Sequence, residues 1–163
     1  MSQKIVVEID DETFELEWVK ITHLGLFQMM CEETEDDIVE APLTGCISVQ
    51  TFTQILEFMD YSIKNGAPGP LPQPLESNDL GTYMDKWYAN FFVRKDISEV
   101  EDIILGCEYL QYETLGDLAC ASIATKIRNM AVEDMREAFG VDNDFEDSEI
   151  EQIREENKWT SAL

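Results

Sequence analysis

The side chains best equipped for chemistry in this chain are four cysteines, Cys31, Cys46, Cys107 and Cys120, and one histidine, His23. A structural zinc site asks for closely spaced ligands of the C-x-x-C kind. No two of these cysteines have that spacing and His23 has no companion ligand, so no metal is indicated. A cysteine nucleophile needs a base, and here that base would have to be the unremarkable His23. With 35 acidic residues, chance pairs of carboxylates are unavoidable and say nothing about acid–base work. One acidic run does have ligand-like spacing. Asp142, Asp144 and Glu146 take positions 1, 3 and 5 of a calcium loop, but Asp147 replaces the Gly of position 6 and Ile153 the Glu of position 12. No phosphate-cradling glycine loop, nucleophile elbow or zinc-peptidase motif occurs. The residues therefore predict no enzyme and no cofactor, and support a protein that works by binding other proteins.

Composition sets the kind of partner. Eleven basic against 35 acidic side chains give a formal charge of −24, a field that repels phosphate backbones and anionic lipid. Nucleic acid and membrane are not expected partners. At 163 residues and 44% hydrophobic the chain can bury one sizeable core. Neither a signal-peptide core nor a run of about 18 apolar residues is present, so cytoplasm and nucleus, with reduced thiols, are the expected locations.

The elements that must present the binding residues read off in order. K-I-V-V-E-I and T-F-E-L-E form a strand pair around Asp10, Asp11 and Glu12. V-K-I-T-H-L-G-L-F-Q-M-M then predicts one helix, with Val19, Leu24, Phe27 and Cys31 sharing a face and Gly25 costing about 1 kcal/mol inside it. I-V-E-A-P-L is a third strand stopped by Pro42. From Val49 a long helix is capped by Ser48 and ended by Asn65-Gly66. Residues 66–81 hold four of the five prolines, Pro68 to Pro74 at every second position, and read as an exposed extended spacer or loop, with a ligand for another module as the functional alternative.

Aromatic helix Y-M-D-K-W-Y-A-N-F-F-V follows, and then D-I-S-E-V-E-D-I-I-L-G-C-E-Y-L, where Ser98 before Glu101 reads as a capped start. On a helical wheel Val100, Ile103, Ile104, Cys107 and Leu110 make one stripe, while Leu105 and Tyr109 fall together on the other side. The next helix repeats the pattern. Leu115, Leu118, Ala119 and Ser122 define one face, and Cys120, Ile123 and Ile127 a flanking stripe. Both helices carry more apolar surface than one contact uses, which suits either burial on two sides or a docking face. A short helix with Val132, Met135 and Phe139 in register stops at Gly140. The acidic tail, residues 142–159, has only Ile150 and Ile153 as a stripe before Asn157 and Trp159. It reads either as a solvated helix whose Trp folds back or as an anchor for a partner's pocket.

A resemblance rests on these later segments. I-I-L-G-C-E-Y-L-Q-Y-E-T-L-G-D-L-A-C-A-S-I-A-T-K-I, E-D-M-R-E-A-F-G-V-D-N-D-F and I-R-E-E-N-K-W are similar to the S-phase kinase-associated protein 1 family, the adaptors of SCF ubiquitin ligases. The strand–helix order from Ile5 to Ile63 resembles that family more loosely: the usual Asp-Gly turn of the first hairpin is missing, and the third-strand region looks lengthened around Leu43 to Cys46. The resemblance implies an α+β BTB/POZ fold over residues 1–128, with the Pro-rich loop 66–81, followed by a helical extension, 129–163. It implies a non-catalytic adaptor in ubiquitin-dependent degradation, joining a cullin scaffold (and through it a RING subunit) to F-box receptors, with a homodimer possible for the free protein. Leu105, Glu108 and Tyr109 would meet the cullin; Glu108 stands where the family has Asn. Cys120, Ile123, Ile127, Phe139, Ile150, Ile153, Asn157 and Trp159 would meet the F-box, with internal core as the other reading of Phe139. Gly116 replaces a usual Leu on the bordering helix, and Glu146-Asp147-Ser148 lacks the proline that some lineages hydroxylate. A cullin-independent scaffold subunit, self-associating or chromosome-associated, is the alternative.

Overall fold

The computed structural model describes residues 3–158. It comprises two compact units, Met1–Asn129 and Met130–Leu163.

The first unit starts from a strand that alternates as a half-buried strand must. In β1 (Lys4–Ile9), Ile5, Val7 and Ile9 point into the core while Lys4 and Glu8 stay outside. β2 (Glu12–Glu17) returns antiparallel to it, and β3 (Ile38–Pro42) lies parallel on its other side, giving the order β2-β1-β3. The hairpin turns without glycine because Asp10 itself adopts a φ of 53°, a conformation short polar side chains tolerate. Its backbone N–H donates to Thr44 Oγ1 at 2.8 Å, tying the turn to the segment after β3.

Residues 19–30 do not form one helix. α1 (Trp18–Ile21) ends at Thr22, and α2 (Gly25–Glu32) begins after a break, so Val19 is exposed rather than aligned with Phe27 and Cys31. Gly25 opens α2 instead of interrupting it. The reason is steric: a Cβ there would meet Gln111 Oε1 at 2.6 Å, so the start of α2 is pressed against the turn at Gln111.

α3 (Val49–Asn65) has the Ser48 cap expected of it, the hydroxyl accepting from Thr51 N–H at 3.1 Å, and it contributes Phe52, Ile55, Phe58 and Met59 to the core. α4 (Lys86–Val93) adds Tyr88 and Phe92, and the Trp87 indole stacks on the Tyr61 ring at 3.8 Å. α5 (Ile97–Leu110) is capped two residues before Ser98. Asp96 accepts from Glu99 N–H at 2.8 Å while Glu99 accepts from Asp96 N–H at 3.2 Å, a reciprocal capping box. α6 (Glu113–Ile127) packs beside α5 and buries Leu115, Leu118, Ala119 and Ser122.

The second unit contains α7 (Val132–Ala138) and α8 (Asp147–Glu156), neither of which has a buried residue. Gly140, at φ 63°, ends the α7 region, and Glu146 with Glu149 forms a capping box on α8.

Candidate protein-docking surfaces

The inward side of α5 is fully used. Val100, Ile103, Cys107 and Leu110 are buried, and Gly106 lets α5 approach the α3 region so closely that a Cβ there would stand 2.8 Å from Ile47 Cδ1 and 3.0 Å from Ile55 Cδ1. The other side is left in solvent: Leu105 is 64% and Tyr109 42% exposed, with Glu108 exposed beside them. Leaving a Leu and a Tyr side by side in water forgoes burial worth about 1.5–3 kcal/mol per large apolar side chain, so this face has capacity for a partner.

Periodicity could not find one member of this face. The exposed Cys46 comes from the turn after β3, where Leu43 is buried, Gly45 takes a φ of 80° and Cys46 N–H donates to Leu43 O at 2.9 Å. Its thiol interacts with the Tyr109 phenol, and that hydrogen bond, with some burial, raises the phenol above its ordinary range. The segment Leu43 to Cys46 thus reaches the Tyr109 side of α5. Only a spacing between different elements, invisible to a helical wheel, brings the two together.

On α6 the flanking stripe is graded. Cys120 is exposed, and Ile123 and Ile127 are half-buried. Gly116 lies on the same side, and a Cβ there would touch only Cys107 Cβ, at 3.5 Å, an ordinary contact. The Pro-rich segment also reaches α6. Rather than a free spacer, residues 66–81 are held at both ends: Tyr88 donates its hydroxyl to Gly66 O at 2.6 Å, and the Arg128 guanidinium donates to Leu75 O and to Asn78 Oδ1, each at 3.1 Å. Leu71 and Leu75 are half-buried against the core. The signal for this was in the sequence, two leucines spaced among the prolines and an Arg just beyond α6.

In the second unit, Phe139 and Ile150 are half-buried, Ile153 is 42% exposed, and the Asn157 amide donates to Ile153 O at 2.8 Å, closing the end of α8. Val132, Val141 and Phe145 are exposed, and the Arg136 guanidinium lies over the Phe145 ring at 5.5 Å. Trp159 lies outside the described residues. Among the described residues no cluster of three metal-ligating side chains occurs, and no helix is long and apolar enough to cross a membrane.

The outer face of α5 is left in solvent and the α6 stripe is only partly covered, surfaces suited to protein partners. Residues 113–160, from the start of α6 into the tail, match the family described as Skp1 family, dimerisation domain. Over 156 residues the chain is 33% identical to the S-phase kinase-associated protein 1 homolog of Tetrahymena thermophila, a match covering 94% of this chain and 91% of that relative. The chain belongs to the S-phase kinase-associated protein 1 family. Another member, the suppressor of kinetochore protein 1 of Schizosaccharomyces pombe, is 28% identical over 159 residues, 98% of each chain. A third, from Arthroderma benhamiae, is named E3 ubiquitin ligase complex SCF subunit sconC and is 28% identical over 134 residues, 82% of this chain and 80% of that one. The three-stranded sheet wrapped by helices is in keeping with the family's BTB-like fold, and α5 and α6 are the elements that carry this member's exposed faces.

Proposed function

We propose that this protein is a non-catalytic adaptor of an SCF-type ubiquitin ligase, holding a cullin on the outer face of α5 and F-box receptors on α6 and on the C-terminal unit. The observation that carries the reading is the division of α5: one side is spent on the core, the other offers Leu105 and Tyr109 to solvent beside Cys46. The SCF name borne by the Arthroderma relative supports it. On the receptor side the proposed contacts are Cys120, Ile123 and Ile127 from α6, and Phe139, Ile150, Ile153, Asn157 and Trp159 from the C-terminal unit. Such a protein supplies position rather than chemistry: it sets the distance between a ligase scaffold and a substrate receptor.

Glu108 tunes this. Its carboxylate stands exposed beside Leu105 and Tyr109, and covering a charge without a partner cation is costly. The test is binding of a cullin N-terminal domain by calorimetry. Binding is expected for the native chain, with Tyr109→Lys weakening it by about 2 kcal/mol or more, as loss of a central aromatic does, while an F-box domain binds Tyr109→Lys as before. A folded native chain that ignores the cullin would remove the ligase reading and leave the scaffold alternative.

A further inference from the structure

Beside the receptor-facing stripe of α6 lies a groove of about 370 Å³ whose far wall is the Pro-rich segment. Pro70, Leu71 and Leu75 form that wall; Asp117, Cys120, Ala121 and Ala124 form the floor. At about 100° per residue Ala124 falls next to Cys120 on the helix surface, with Ala121 beyond it, while Ile123 and Ile127 fall on the opposite side of Cys120. The segment therefore runs along the stripe and does not cover it. Cys120 belongs to both, so the groove continues the receptor-facing surface sideways.

The wall is built to stay in place. Prolines at 68, 70, 72 and 74 restrict φ and favour an extended chain that loses little entropy when a ligand settles against it. Tyr88 holds one end at Gly66 and Arg128 the other at Leu75 and Asn78. Apart from Asp117 the side chains that form wall and floor are uncharged and mostly apolar, so the groove suits a large apolar side chain and repels an acidic one.

We propose that residues 70–75 form a fixed side wall of the receptor-binding surface, and that the groove between this wall and α6 takes a large apolar side chain of a bound F-box. The inference rests on the F-box reading above and adds to it a specificity pocket: receptors with a bulky aliphatic or aromatic residue at the matching helix position are preferred to those with a small or acidic one.

The experiment measures binding of carrier-fused F-box domains to four forms of the full chain. Ala124→Phe fills the groove from an exposed helix position. Replacement of residues 68–74 by an equal length of Gly and Ser removes the wall. Ile123→Asp reports on the receptor-facing stripe itself. Both groove variants are expected to weaken binding about tenfold or more, the scale of a lost interface side chain, with the thermal unfolding of Ala124→Phe unchanged. If Ile123→Asp abolishes binding while either folded groove variant stays within about twofold of the native chain, the pocket is wrong and the F-box reading stands. If the native chain binds no F-box domain, the reading fails and the pocket with it.

Discussion

On the proposed reading, single side chains decide how a cullin is met. Glu108 is the residue on the outer face of α5 most out of place at an interface, because its charge has to be stripped of water there. Glu108→Asn removes the charge and keeps a hydrogen-bonding side chain one methylene shorter, and is expected to tighten cullin binding several-fold, by about 1 kcal/mol, with no change in thermal unfolding. On the inward side, two buried ionisable groups make stability depend on alkali. Burial, with the neighbouring Cys120, pushes the Cys107 thiol from 9.0 up to about 12, and burial pushes the Tyr112 phenol from 10.0 up to about 12 against a lowering hydrogen bond with Ser62. In the unfolded chain these protons leave near pH 9 and 10; in the native chain they stay until about pH 12. The native state thus holds more protons across that window, and stability, complete below pH 9, falls as pH rises toward 12, by up to about 1.4 kcal/mol per pH unit for each group. Urea midpoints measured from pH 8 to 11.5 are expected to drop along this line, with a shallower slope for Cys107→Ala.

At the scale of elements, caps and close approaches hold the helices that carry the faces. Asp96→Ala breaks both arms of the α5 capping box and is expected to cost about 1 kcal/mol in urea unfolding, whereas Ser98→Ala, two residues further in, stays within about 0.5 kcal/mol. The two glycines of α5 and α6 are opposites. At Gly106 a methyl group would press on Ile47, Ile55 and Thr51, at 2.8, 3.0 and 3.3 Å, and overpacking of that kind costs about 1–3 kcal/mol. At Gly116 it would find only Cys107 at 3.5 Å, leaving the helix-propensity gain of about 1 kcal/mol. Gly106→Ala is therefore expected to lower the urea midpoint and Gly116→Ala to raise it. Gly116 is not required by the fold.

For the whole molecule, burial divides the chain. Among the described residues every buried side chain lies at or before Ser122, and α7 and α8 of the second unit contain no buried residue. A fragment of residues 1–129 is expected to unfold cooperatively, with a Tm within a few degrees of the full chain, and to keep cullin binding while losing F-box affinity. By the same reasoning amides of residues 147–156 should exchange with little protection in the free protein and gain protection when an F-box binds, since short helices without buried contacts open at little cost.

Much of this was legible in the residues. Alternation in K-I-V-V-E-I, the Ser48 cap, and the split of α5 into Val100-Ile103-Cys107-Leu110 against Leu105-Tyr109 follow from periods of 2 and 3.6, which are local properties of the chain. Periodicity misled at Val19, because nothing local announces that Gly25 must sit under Gln111, 86 positions later. It also placed the α5 cap at Ser98, since S-x-x-E and D-x-x-E overlap there and only the backbone geometry selects Asp96. Apart from the division of α1 from α2, the strand and helix order, the two-faced helices and the family were determined by the sequence alone, because each depends on which residues are near one another along the chain. Tertiary structure alone decided that Cys46 meets Tyr109 and that Leu71 and Leu75 draw the proline segment beside α6. Those contacts join residues dozens of positions apart, and their pairing depends on how separate elements pack and not on any repeat within them.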